Sequence, residues 1–437
     1  MRCKINLNNL SLFATPKKHK YISDNYITVV KGQCWYNNNT ISINKIKDLD
    51  NNKLAKIQGN FVIILINKKN KLLEIIVDGV ASDFLYYNLD KNKLILSDNI
   101  NKLDSYFSLN MRSVNKYLKN DIIPTPHTIY KKIYKLKPGI FEFNYKNKKF
   151  IKKNNINKKK ISLSESLKEI PSQIKNYKRK RKLAVLATGG LDSSFLAAIS
   201  KKMRPVLFFA AIDDSAISEY NTISIKKCKR LSKQLKLPFK IIKINKRDFV
   251  KNAIKVVKLM DGPIKDYDLL AVYSLFEKIS EKIPSACIIS GIGANELFDL
   301  PKKHLEDYLY KKIPSEIKIH KKIAKKFGLD FFAPYLSTNL VNYSLGTHLK
   351  AKKNKIPLKR EIEKKEILTP GYINQTSQHS EIPNSFFNLL NTLYPPLKNN
   401  KLKIYLTSTI VKKIKKQKEI ILPLWLEKNF LNLKEKK

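Results

Sequence analysis

Cysteine is scarce: Cys3, Cys34, Cys228 and Cys287 are the four in 437 residues, and no two form a C-x-x-C pair. That spacing excludes a zinc-ribbon frame and a disulfide-stapled scaffold, and it suits a reducing, cytoplasmic setting. Long hydrophobic runs are also missing. The longest, such as Phe61-Val62-Ile63-Ile64-Leu65-Ile66, fall far short of the roughly 20 residues a bilayer-spanning helix needs, so no membrane span is expected. The opening Met1-Arg2-Cys3-Lys4-Ile5-Asn6 lacks the apolar core of a signal peptide. The six histidines show no H-E-x-x-H or other metal spacing, and His127, in a Pro-rich turn, reads as structural. Acid is short too, with 36 Asp+Glu against 86 Lys+Arg and a formal net charge of +50. Such an excess ordinarily points to a polyanion partner. Here the lysines are spread along the whole chain beside abundant Asn and Ile, as an A+T-rich coding sequence would produce by drift. Drift accounts for the charge better than selected RNA binding, and attraction to acidic substrates or membranes comes after both.

The chain is long enough for two or three domains, and 43% hydrophobic with 10% aromatic residues is a globular composition. Its organising stretch is Leu183-Ala184-Val185-Leu186-Ala187-Thr188-Gly189-Gly190-Leu191-Asp192-Ser193-Ser194. The apolar run reads as a buried strand. Two glycines permit a tight turn and close approach of backbone to ligand. Asp192, Ser193 and Ser194 can cap the helix that follows, whose N-terminal N–H groups favour phosphate. Asp192 could also hold Mg²⁺ against that phosphate. The spacer and the Gly-Lys-Ser/Thr ending of a Walker loop are absent.

The run resembles the S-G-G-x-D-S pyrophosphate loop of the ATP pyrophosphatases, with Thr188 keeping the hydroxyl of the first serine. By that resemblance Ala187, Thr188, Gly189, Gly190, Leu191, Asp192, Ser193 and Ser194 bind ATP. Strands at residues 183–187, 206–212 and 239–244 alternate with helices at 162–175 and 219–235, and Ser162 and Glu165 are spaced as a capping box. This pattern predicts a parallel sheet with its ligand off the strands' C-terminal ends.

A second informative stretch is Ser290-Gly291-Ile292-Gly293-Ala294-Asn295-Glu296-Leu297-Phe298, after the apolar Ala286-Cys287-Ile288-Ile289. It is similar to the S-G-x-G-A-D-E-L-F signature of the asparagine synthetase superfamily. The resemblance implies that Ser290 and Gly291 contact adenosine and that position 295 is the second Mg²⁺ ligand, opposite Asp192. Asn295 replaces that family's aspartate, so the site has one carboxylate less. Ile292 stands where the family has a polar residue and cannot take a proton from an amine. Phe332-Ala333-Pro334-Tyr335-Leu336 resembles the P-F-L-D segment, with Ser337 in place of the aspartate. A catalytic lysine is expected downstream. Lys359, Lys364 and Lys365 are candidates, Lys365 is nominated, and the position could instead fall on Ser377.

Before residue 155 the chain reads as short strands with turn signals, at 25–32, 59–66, 72–79, 85–87, 93–98 and 138–143, with one helix near 114–119. The ordered pieces Gly59-Asn60-Phe61, Asp78-Gly79, Leu96-Ser97-Asp98 and Leu136-Lys137-Pro138-Gly139 resemble the glutaminase domain of asparagine synthetases. That family's N-terminal cysteine nucleophile is not matched: Arg2 stands there, Cys3 lies one place late and reads as structural, and no upstream pro-segment is indicated. The expected fold is α/β. A degenerate Ntn-glutaminase-like αββα sandwich (1–160) precedes a parallel-sheet, adenine-nucleotide α-hydrolase-like synthetase domain (161–437), with the Lys/Asn-rich 146–160 as linker. The tail around Trp425 suits the closing helix of these synthetases.

Loss of the amidotransferase cysteine is shared with β-lactam synthetases and lasso-peptide cyclases. The resemblance implies a ligase that uses ATP and Mg²⁺ to adenylate a carboxylate and join it to an amine, favoured as intramolecular and without glutaminase activity. Its substrate would be a small carboxylate or a precursor peptide, the latter with a leader-peptide-binding protein and a protease as partners. An ammonia-dependent asparagine synthetase and a nucleotide-binding pseudoenzyme are the alternatives. A tRNA-modifying enzyme fits the charge but not the front half.

Overall fold

A computed structural model describes the chain except residues 16–19, 37–38, 81–82, 104–107, 155–161, 365, 369–381, 396, 398–399 and 432–437. It divides into two compact units. One comprises Met1–Ile161, Lys302–Lys318 and Ser337–Gly346; the other comprises Ser162–Pro301, Ile319–Leu336 and Thr347–Lys437. The protein is a mixed α/β molecule with an N-terminal sheet domain and a C-terminal parallel sheet.

Among the described residues the first unit carries the strands β1 (Arg2–Asn6), β2 (Leu12–Thr15), β3 (Lys20–Ile22), β4 (Tyr26–Tyr36), β5 (Asn39–Thr40), β6 (Gln58–Asn67), β7 (Leu72–Val77), β8 (Tyr86–Asp90), β9 (Lys93–Ser97), β10 (Ile133–Lys135), β11 (Gly139–Asn144) and β12 (Lys149–Asn154). They form an antiparallel sheet β10-β8-β9-β1-β2 and a second sheet β12-β11-β7-β6-β4-β3, with β5 beside β4. The unbroken apolar run of β6 reflects burial on both faces. On one face Phe61, Ile63 and Leu65 pack with Ile46, Leu54 and Ile57, which come from the turn Ile43–Asp48, the short helix α1 (Asn51–Leu54) and the residues just after it. Each such side chain buried contributes roughly 1.5–3 kcal/mol. The Asp78-Gly79 turn has a structural use: buried Asp78 accepts the backbone N–H groups of Phe61, Val80 and Asp83. The principal helix before residue 161 is α2 (Met111–Asn120), capped by the Asn110 side chain. β12 lies inside the segment expected to be a linker. It pairs with β11 through Phe143↔Phe150, and its Lys153 reaches Glu142 at 2.8 Å.

The second unit contains helices α3 (Leu163–Lys178), α4 (Leu191–Ile199), α5 (Ser218–Leu235), α6 (Lys246–Leu259), α7 (Asp268–Lys282) and α8 (Ala294–Asp299), with strands β13 (Leu183–Leu186), β14 (Val206–Ile212), β15 (Phe239–Ile244), β16 (Cys287–Ile289) and β17 (Asp330–Phe332). Ser162 and Glu165 form the capping box that opens α3. All five strands are parallel, in the order β15-β14-β13-β16-β17. The chain therefore leaves β13 toward β14 and β15, then returns on the other side of β13 as β16. In open parallel sheets such a reversal is where a ligand crevice is expected, here off the C-terminal ends of β13 and β16. Near the C-terminal end of the described chain, buried Trp425 donates its Nε1–H to the Met260 carbonyl at 3.0 Å, fastening the helix Ile421–Trp425 to the end of α6.

Candidate functional site

The loop after β13 closes on itself. The Thr188 N–H donates to Ser193 Oγ at 3.1 Å, Ser193 donates to the Gly190 carbonyl at 3.2 Å, and the Gly190 N–H reaches Thr188 Oγ1 at 3.4 Å. Gly189 has φ +77°, and a Cβ there would lie 2.9 Å from Lys227 Cβ and 3.1 Å from the Ser224 carbonyl. Only glycine allows α5 to pack that close behind the turn. Gly190 is the N-cap of α4 and brings no capping side chain, so the partial positive charge of the helix start is left for another group. Ala187, Leu191, Ser193 and Ser194 are buried, Asp192 is half-buried, and Thr188 is exposed. Ser194 Oγ is buried without a hydrogen-bond partner in the protein, an orphaned hydroxyl of the kind a ligand oxygen satisfies.

The loop after β16 comes up against the first. A Cβ at Gly291 would lie 3.6 Å from Asp192 Cβ and 4.0 Å from the Ser193 nitrogen. Buried Ser290 accepts the Ile292 N–H on its Oγ and donates its own N–H to the Phe332 carbonyl. Gly293, at φ +93°, lies against Leu336, whose Cδ2 would be 2.5 Å from an added Cβ. α8 then starts and presents Asn295 in its first turn. Buried Tyr335 donates its phenol to the Asp192 carbonyl at 3.2 Å, and burial, then the Asp192 carboxylate, holds that phenol well above its ordinary pKa. It is a prop for the loop, not an acid.

Asp192 and Asn295 do converge. Between them stands an ammonium: Lys355 Nζ is 2.5 Å from Asp192 Oδ2 and 2.5 Å from Asn295 Oδ1. This is a cation position with one formal negative charge in its donor pair. A carboxylate and a neutral amide match a single ammonium better than a divalent ion, which takes more oxygen ligands and more charge. Lys355 was not among the lysines singled out from sequence. Of those, Lys359 is half-buried and Lys364 exposed, while Lys365 and Ser377 lie outside the described residues. A second buried lysine, Lys352, is pushed down to about 8 by desolvation, partly offset by Asp299.

In the first unit, Cys3 sits in β1 between Ala14 of β2 and Leu96 of β9, fully buried, with its thiol pushed up to about 12 by burial. A thiol in that state is no nucleophile. Among the described residues no group of three or more His, Cys, Asp or Glu is placed to hold a metal, and no helix is long and apolar enough to cross a membrane.

With a glycine loop opening onto a helix N-terminus on one side of a topological switch point and a second glycine turn on the other, the second unit has the layout of a parallel α/β domain whose ligand position is expected off the C-terminal strand ends. The chain belongs to the asparagine synthase family, whose model matches residues 175–403, more than half of its length. A glutamine amidotransferase domain model matches residues 40–155, a span that does not include Cys3. The chain is 27% identical over 207 residues to the microcin J25-processing protein McjC of Escherichia coli, covering 44% of this chain and 39% of that protein. It is 21% identical over 282 residues to asparagine synthetase [glutamine-hydrolyzing] 1 of Bacillus subtilis, covering 60% and 43%. With a putative asparagine synthetase of Methanocaldococcus jannaschii it shares 23% over 333 residues, covering 70% and 59%. The chain thus spans less than two thirds of each of these relatives. Among solved structures, the glutamine-dependent NAD+ synthetase of Acinetobacter baumannii in complex with ADP is 12% identical over 70% of this chain and 51% of that one, with a TM-score of 0.27.

Proposed function

We propose that this protein is an ATP-dependent, AMP- and pyrophosphate-forming amide ligase. A substrate carboxylate oxygen attacks the α-phosphorus of ATP, the bond to the β-phosphate oxygen breaks, and pyrophosphate leaves. An amine then attacks the acyl-adenylate, AMP leaves, and the amine's proton passes to solvent or base. Activation is needed because a free carboxylate is a poor electrophile at neutral pH.

The observation that carries this reading is the abutment of the two loops, Gly291 against Asp192 and Ser193, at the C-terminal ends of β13 and β16. In it, the start of α4 with Thr188, Gly189, Gly190, Ser193 and Ser194 holds the pyrophosphate portion, and Ser290 and Gly291 face the adenosine. Mg²⁺, where it accompanies ATP as part of the substrate, would supply charge neutralisation at the phosphates. No step is assigned to a metal held by Asp192 and Asn295, because Lys355 stands between them.

An amine supplied by the same molecule as the carboxylate, giving a lactam or macrolactam, is the favoured branch. The buried, unreactive Cys3 supports it by offering no glutamine-derived ammonia, and similarity to a microcin J25-processing protein supports a peptide substrate. A leader-binding protein and a protease are the partners such a substrate implies. Amidation with free ammonia is the alternative, supported by the asparagine synthetase relatives. Incubating the protein with ATP and candidate peptides or amino acids, and resolving the products, tests the reading. Pyrophosphate and AMP in equal amounts are expected. ADP with orthophosphate would sink it, and ATP bound without turnover would leave a nucleotide-binding pseudoenzyme.

A further inference from the structure

Lys355 is held by more than its two hydrogen bonds. It follows Asn354, and both residues have left-handed backbone, with φ +56° and +58°. Two successive non-glycine residues there are strained and persist only where the surroundings impose them. The imposing element is α8. The Asn354 N–H donates to Asp299 Oδ1 at 2.9 Å, and Asp299 is also the carboxylate that acts on buried Lys352. Asn295 and Asp299 are four residues apart, on one side of the same helix. The turn at 352–355 is therefore clipped to α8 at Asp299, and the ammonium is delivered to Asn295 one turn earlier. Its side chain is 8% exposed. An ammonium has three N–H donors; Asp192 and Asn295 take two.

We propose that Lys355 is the protein's own cation at the nucleotide site, occupying the position between Asp192 and Asn295 that a protein-held divalent metal would take, with its remaining N–H directed to a phosphate oxygen. The proposal rests on the reading that ATP phosphates lie on residues 188–194. It makes the neutral residue at 295 intelligible. A second carboxylate there would suit a divalent ion, whereas one carboxylate and one amide balance a single positive charge. The cation is fixed by the fold and arrives without metal. Two like cations cannot share the position, so metal and lysine exclude one another there.

The test is ATP affinity of the full chain, by calorimetry, in excess EDTA and in excess Mg²⁺. For the unaltered protein, removing Mg²⁺ is expected to weaken binding by less than about tenfold. Lys355→Met is expected to lose a further tenfold or so in EDTA, the loss of a charge-assisted hydrogen bond, while Lys355→Arg retains most of the metal-free binding. Asn295→Asp is expected to make Mg²⁺ tighten ATP binding more than it does in the unaltered chain. Thermal melts show whether each variant is folded. Metal-free binding equally weak with and without Lys355, or tighter binding in Lys355→Met, would overturn the proposal and leave the ligase reading intact. No ATP binding in either condition would bring down both.

Discussion

Gly189 and Lys355 are the two residues on which the proposed site turns, and they were unequally visible. Gly189 belongs to a run of small and hydroxyl residues between a buried strand and a helix, and that local chemistry predicts the tight strand–helix turn on which the phosphate reading is proposed. The structure adds the reason for glycine there, φ +77° with α5 directly behind. Gly189→Ala is expected to lower stability by about 1–3 kcal/mol in denaturant unfolding, and to weaken ATP binding measurably in the fraction that remains folded. Lys355 has no such local mark. It is one of many lysines in a basic segment, and what selects it is tertiary: a left-handed turn fastened to a helix residue 55 positions earlier. Spacing along the chain favoured later lysines because the polar clip at Asp299 cannot be seen in one dimension.

Elements with one dominant pattern were legible. β6, β13 and β14 are near-continuous apolar runs, and each is buried on both faces. The box Ser162–Glu165 marks the start of α3 to the residue. β12 was not legible, because Lys149, Lys152 and Lys153 give it the composition of a linker. Its strand character comes from the partner it meets, Phe150 opposite Phe143 and Lys153 near Glu142, a case of tertiary pairing overriding local propensity. The closing helix was legible through its tryptophan. Trp425 is buried and bonded to the Met260 carbonyl, so Trp425→Ala is expected to cost about 3–5 kcal/mol. Trp425→Phe should cost less, since it keeps the ring and loses the hydrogen bond. Urea midpoints of the two variants check the order.

At the scale of the whole molecule, the +50 charge is diffuse. No site described above requires it. Binding to RNA is expected to be indifferent to sequence and to fall steeply with salt, by orders of magnitude between about 50 and 200 mM. Filter binding of two unrelated RNAs at both salt concentrations checks this, and a preference above about tenfold at the higher salt would point to selected recognition.

The first compact unit includes Lys302–Lys318 and Ser337–Gly346 as well as the first 161 residues. During synthesis it therefore stays unfinished until residue 346 has emerged from the ribosome, long after its strands have been made. An expression fragment cut at 161 would miss two of its pieces. Anyone wishing to study the halves apart would have to rewire the chain, not merely shorten it.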